Sequence, residues 1–146
     1  MLDKEIIEKM LKVANEAEDN AFIFKSNHSF GAAVLTDDGE IYGGCNVDGV
    51  ISGMGTCAES SALNHAVVHG KYNIKAILVV DEKEFIFPCG TCLQYLVQFY
   101  QTTNKEIEVI SAKQSGEYQS KLLHELLPEA YHSVTFDQKL KSFINK

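Results

Sequence analysis

Three cysteines constrain this chain more than any other residues: Cys57 in Thr56-Cys57-Ala58-Glu59, and the pair in Pro88-Cys89-Gly90-Thr91-Cys92. Positions i and i+3 of a helix lie on one face, so Cys89 and Cys92 can aim their sulfurs at a common point. If Cys57 reaches that point from a second helix start, three thiolates hold three corners of a tetrahedron and the fourth stays open to water, as in catalytic zinc sites. Any fold for this sequence must therefore bring two separate helix N-termini together.

A competing use of the cysteines is two disulfides, which requires an oxidising compartment. The first residues, Met1-Leu2-Asp3-Lys4-Glu5, are charged and unlike a secretory leader, so a reduced, metal-binding reading and a cytoplasmic location are expected. The remaining cysteine, Cys45, lies in the apolar stretch Ile41 to Val47 and reads as a small buried strand residue. With 146 residues, 45% of them hydrophobic, the chain is expected to form a single domain over 1–146 whose core needs no disulfide. The net charge is -7, and all 13 basic residues are lysines. A polynucleotide-binding protein would show a basic stripe and use arginine's planar fork, so no nucleic-acid partner is expected. No apolar run reaches the roughly 18 residues of a membrane helix, so no membrane partner is expected either.

Along the chain, Ile6, Ile7, Met10, Val13, Ala14 and Ala17 recur at helical spacing and predict an amphipathic helix over 3–18. A strand from Phe30 to Thr36, a turn at Asp37-Asp38-Gly39 and a strand from Glu40 to Asn46 predict a hairpin. A helix from Thr56 to about Gly70, a buried strand from Ile74 to Val80, and a helix after Pro88 through Tyr100 follow. Ile107 to Ser111 reads as a further strand, and Leu122, Leu123, Leu126 and Leu127 as a short helix stopped by Pro128. The last ten residues fit either a loose tail or a terminal helix. Strands alternating with helices after a hairpin predict an α/β sandwich with a mixed sheet covered on both faces.

Glu59, two residues after Cys57, can reach a water on the metal without binding the metal itself. Zinc lowers the pKa of such a water from about 16 to about 7, and an adjacent carboxylate can carry its proton. That combination suits hydrolytic removal of an exocyclic amine from a pyrimidine, the pattern of zinc deaminases with three cysteines and a non-ligand glutamate. Two bland alternatives remain. Thr56-x-x-Glu59 is also a capping box, and Cys45, His65 or His28 could close the metal site as a fourth, purely structural ligand. Three thiolates and one Zn²⁺ sum to a negative charge, so donors must face the sulfurs. In a chain without arginine, helix N–H groups are the donors expected.

Five motifs in order resemble the cytidine deaminases, specifically the small homotetrameric class acting on free nucleosides. They are Phe30-Gly31-Ala32-Ala33, Gly44-Cys45-Asn46-Val47-Asp48, Cys57-Ala58-Glu59, Pro88-Cys89-Gly90-Thr91-Cys92-x-Gln94 and Leu126-Leu127-Pro128-x-Ala130-Tyr131. The resemblance implies a three-layer α/β/α sandwich with a mixed five-stranded sheet, and one zinc per subunit held by Cys57, Cys89 and Cys92. Glu59 would be the proton shuttle in conversion of cytidine and deoxycytidine to the uridine products. Asn46 and Asp48 would hold a sugar hydroxyl, Ala58 and His28 would belong to the substrate pocket, and Tyr131 would stack on the base in a neighbouring subunit's pocket. Ser60 and Leu93 stand where the family commonly has arginines. Asp48 replaces a glutamate, Gly49 an asparagine and His28 an aromatic. This altered sugar end is the feature that fits the alternative substrate, another aminated pyrimidine nucleoside such as blasticidin S.

Overall fold

The predicted hairpin forms as β1 (Gly31–Thr36) and β2 (Ile41–Cys45), paired antiparallel with Gly31 opposite Cys45 and Leu35 opposite Ile41. The structure is a computed structural model and describes residues 1–145. On the other side β1 pairs antiparallel with β3 (Ile74–Asp81), which runs parallel to β4 (Glu108–Lys113). Strand β5 (Tyr118–Leu122) pairs antiparallel with β4 and completes a mixed sheet of order β2-β1-β3-β4-β5.

Side chains alternate across each strand, and the central strands are buried on both faces, so β1 and β3 are nearly continuous apolar runs, while β4 buries Glu108 and Ser111 among its apolar residues. Ala33, Leu35, Ala76, Leu78, Val80 and Ile110 point toward α1 (Lys4–Glu18), which covers them with Ile7, Met10 and Ala14. Ala32, Val34, Ile77 and Val109 point the other way, against α2 (Ala58–Val68) and α3 (Gly90–Thr103), where they meet Ala62, Leu63, Leu96 and Val97. The result is the three-layer α/β/α arrangement. Each fully buried Leu, Ile or Met contributes about 1.5–3 kcal/mol relative to exposure.

Helix α2 lies directly on the hairpin. A Cβ at Gly44 would stand 2.2 Å from the Ala62 backbone nitrogen, so only glycine permits this approach. At its far end the helix stops as predicted: Gly70 has φ +74°, its N–H bonds the Val67 carbonyl, and the Lys71 N–H bonds that of Ala66.

Several boundaries shift by one or two residues from the sequence expectation, and two of the shifts concern helix starts. The predicted second helix begins at Ala58, with Cys57 as its N-cap, and not at Thr56. The short helix α4 begins at Leu123, because Leu122 ends β5. The chain closes with α5 (Asp137–Lys141), which packs on α3, and a 3-10 turn (Ser142–Asn145), so a terminal helix and not a loose tail occupies this stretch.

Candidate metal centre and catalytic cleft

Cys57 and Cys89 are the N-caps of α2 and α3, both in extended backbone conformation, and Cys92 lies on the first turn of α3. Their three sulfurs lie within 4.8 Å of one another, and they are the only such metal-competent group of three among the described residues. A tetrahedral zinc with Zn–S near 2.3 Å separates its sulfurs by about 3.8 Å, so this cluster fits the ion with little adjustment. Cys57 and Cys89 are open to the surface while Cys92 is buried, which leaves one side of the trio facing outward.

Helix geometry supplies the donors that the missing arginines cannot. The N–H groups of Cys92 and Thr91 hold the Cys89 thiol below its ordinary pKa, against the opposing effect of burial. Burial and the nearby Glu59 charge push the Cys92 thiol up instead. Burial likewise raises Cys57. Three thiolates so close together need a cation, and the donor set is the one zinc prefers. Ser60 Oγ stands 3.6 Å from Cys92 Sγ and adds a hydroxyl to the helix donors, a contact that spacing alone did not reveal.

Because Cys57 is the N-cap, Glu59 occupies the second helical position and not the third that a capping box needs. Its carboxyl is 8% exposed, and Oε2 lies 3.6 Å from Cys92 Sγ. Burial pushes its pKa up, which suits a group that must accept and release a proton near neutrality. The residues considered as a structural fourth ligand are engaged elsewhere. His65 Nδ1 bonds the Gly43 carbonyl at 2.9 Å, His28 Nε2 lies 2.8 Å from Asp81 Oδ1, and Cys45 is half-buried at the end of β2.

A cleft of about 420 Å³ opens over this trio. Cys57, Ala58, Glu59 and Cys89 line it together with the polar Asn46 and Asp48 and the apolar Phe30, Val47, Ile86 and Phe87. The sequence reading missed Phe87 and Ile86, although the apolar run Phe85-Ile86-Phe87 directly before Pro88 was a signal for them.

Asn46 and Asp48 also hold backbone in place. Asp48 Oδ2 accepts the N–H groups of Phe24, Lys25 and Ser26, each at 2.9 Å, and these bonds drive its pKa far below the carboxylate range. Asn46 Oδ1 accepts the Phe30 N–H at 2.9 Å, and its Nδ2 donates to the His28 carbonyl at 2.8 Å.

Two residues named for the substrate stand outside this cleft: His28, expected to line it, and Tyr131, expected to serve a neighbouring subunit's. His28 is turned onto Asp81, behind Phe30, because the buried carboxylate is the better partner for its ring. Tyr131 is 70% exposed and lies beside α3, its carbonyl accepting a 2.7 Å bond from Gln94 Nε2, next to a different hollow lined by Tyr95, Gln98 and Phe136.

Residues 4–105 match the family model described as the cytidine and deoxycytidylate deaminase zinc-binding region. The cytidine deaminase of Sporosarcina psychrophila is 33% identical over 126 residues, covering 86% of this chain and 90% of that protein. That of Halalkalibacterium halodurans is 33% identical over 84% of this chain and 91% of its own length. Among solved structures, the Burkholderia pseudomallei cytidine deaminase superposes with a TM-score of 0.76 at 33% identity, covering 85% of this chain and 98% of that one. With its two helix starts converging on three sulfurs, its buried glutamate beside them and this breadth of likeness, the chain belongs to the cytidine and deoxycytidylate deaminase zinc-binding family.

Proposed function

We propose that the protein hydrolyses cytidine and deoxycytidine to uridine and deoxyuridine, releasing ammonia, with one zinc per subunit. The observation that carries this reading is Glu59, buried at 8% exposure against Cys92 and aimed into the cleft beside three convergent sulfurs. Bound at Cys57, Cys89 and Cys92, zinc supplies a water acidic enough to attack at neutral pH. Glu59 would take one proton from that water and deliver it to the ring nitrogen. It would then take the remaining proton of the newly bound hydroxyl and deliver it to the exocyclic amine, which leaves as ammonia while the ring carbon keeps the oxygen as the carbonyl. Its raised pKa matches both halves of the task, since a strong acid would not hold the proton and a strong base would not release it.

Phe30 and Phe87 give the base an apolar slot that excludes water, and Ala58 at the start of α2 leaves room for the ring. Asn46 and Asp48 take the sugar hydroxyl; the Asn46 amide has a second N–H hydrogen beyond the one bound to His28. The exposed ring of Tyr131 completes a neighbouring subunit's cleft in a homotetramer. As one domain with no basic surface, the protein serves free nucleosides in cytoplasmic pyrimidine salvage and binds neither nucleic acid nor membrane. No described helix is long and apolar enough to cross a membrane.

A substrate panel tests the reading. Zinc-loaded protein incubated with cytidine, deoxycytidine, cytosine and blasticidin S should show loss of cytidine absorbance with one ammonia per nucleoside consumed, and faster turnover of the two nucleosides than of the others. Folded, zinc-loaded protein that leaves both nucleosides intact would remove the proposal.

A further inference from the structure

Asp81 ends β3 with a carboxylate that is 4% exposed, and a buried charge persists only where every lone pair finds a donor. Oδ2 accepts the backbone N–H groups of Lys83 at 3.0 Å and Glu84 at 2.9 Å, while Oδ1 faces His28 Nε2 at 2.8 Å. The imidazole in turn lies against the Phe30 ring, with centroids 4.4 Å apart. Around the same backbone, the His28 carbonyl accepts from Asn46 Nδ2 and the Phe30 N–H donates to Asn46 Oδ1. Phe30 and Asn46 line the cleft, whereas His28 and Asp81 do not and reach it only through these contacts.

The pair gives the buried Oδ1 its partner. The His28 side chain is 53% exposed, and an ion pair with one partner that open to water is worth under about 1 kcal/mol. Its larger consequence is geometric. Asp48 already holds the loop at Phe24 to Ser26, so the pair governs the stretch that follows, where the His28 carbonyl holds the Asn46 amide, and an angstrom of misplacement weakens a ligand contact severely.

We propose that Asp81 and His28 are positioning residues for the sugar end of the substrate. Asp81 fixes the imidazole, and with it the His28 backbone whose carbonyl holds the Asn46 amide. This rests on the reading above that Asn46 meets a sugar hydroxyl.

Kinetics on cytidine and 2′,3′-dideoxycytidine test it, because the second substrate lacks the hydroxyls Asn46 would bind. In His28→Ala, kcat/KM for cytidine should fall about tenfold, roughly the worth of one hydrogen bond, through KM with kcat within about twofold. On dideoxycytidine the same variant should lose less than about twofold, and zinc content should stay at the wild-type level. His28→Gln, which can still donate to Asp81, should recover most of the loss, and Asp81→Asn should repeat the pattern more weakly if it folds. Equal losses on both substrates, or no loss on cytidine, would overturn the positioning role alone. A wild-type protein inert toward cytidine would instead remove the deaminase reading on which it rests.

Discussion

The cysteine-bearing part of the cleft, its metal end, and the part proposed to meet the sugar, its sugar end, are built on opposite plans. At the metal end Cys57, Cys89 and Cys92 stand on two helix starts, and Glu59 touches Cys92. At the sugar end Asn46 and Asp48 sit outside regular structure, and each holds loop backbone with the atoms that a ligand would use. Helix N-termini fix the reacting groups without help from the substrate, whereas the sugar end depends on loops that its own side chains keep in order. Damage to the first should therefore stop the chemistry, and damage to the second should weaken binding.

The sharpest way to break this contrast is at a ligand. Cys89→Ala should release zinc, measurable with a colorimetric chelator, and abolish turnover, because metal affinity is lost together with the fold energy it adds. Zinc that stayed stoichiometric would mean the ligand set is wrong. Next, Glu59→Gln should keep both zinc and fold yet reduce kcat by about 10³- to 10⁴-fold, the upper range for a proton-transferring group. Persisting turnover would deny Glu59 its role.

Much of the metal end could be read from spacing, because cysteines three apart and a glutamate two residues after a cysteine act through local geometry. The sugar end could not. That Asp48 would be drawn onto the Phe24 to Ser26 backbone, or that His28 would turn to Asp81, depends on contacts more than twenty residues apart. In the fold, the hairpin, the buried strand β3 and the three long helices were legible from apolar periodicity. The fifth strand was not found in its own residues, since Tyr-Gln-Ser-Lys-Leu at 118–122 lies on the sheet edge with mostly exposed side chains and offers no buried alternation. It was expected through the family likeness alone.

Gly44 tests how firmly the sheet sets the metal end. Gly44→Ala would press a methyl group into the α2 backbone, placing it 2.2 Å from the Ala62 nitrogen. Overpacking of this kind costs about 1–3 kcal/mol, and chemical denaturation should show it alongside a lower zinc affinity as α2 shifts Cys57. An unchanged midpoint and affinity would mean that α2 is not seated by this contact.

The smallest expected effect belongs to Asp48. Asp48→Asn should raise KM for cytidine several-fold with little change in kcat, the inverse of the Glu59 result. It should also alter acid stability in a defined direction. Three N–H bonds depress the native pKa of Asp48, so the native state binds fewer protons than the unfolded chain, and the carboxylate's stabilisation is present above about pH 4 and lost as pH falls further. The stability gap between wild type and Asp48→Asn should accordingly be constant at neutral pH and shrink below about pH 4. A gap that held steady in acid would show that these bonds do not prefer the ionised form.

The proposed deamination depends on a metal with three sulfurs and one position left for water. X-ray absorption at the zinc edge of the loaded protein measures this directly: it should show three sulfurs at about 2.3 Å and one oxygen at about 2.0 Å, without the outer-shell scattering of an imidazole. A fourth sulfur, or a histidine in that position, would contradict it.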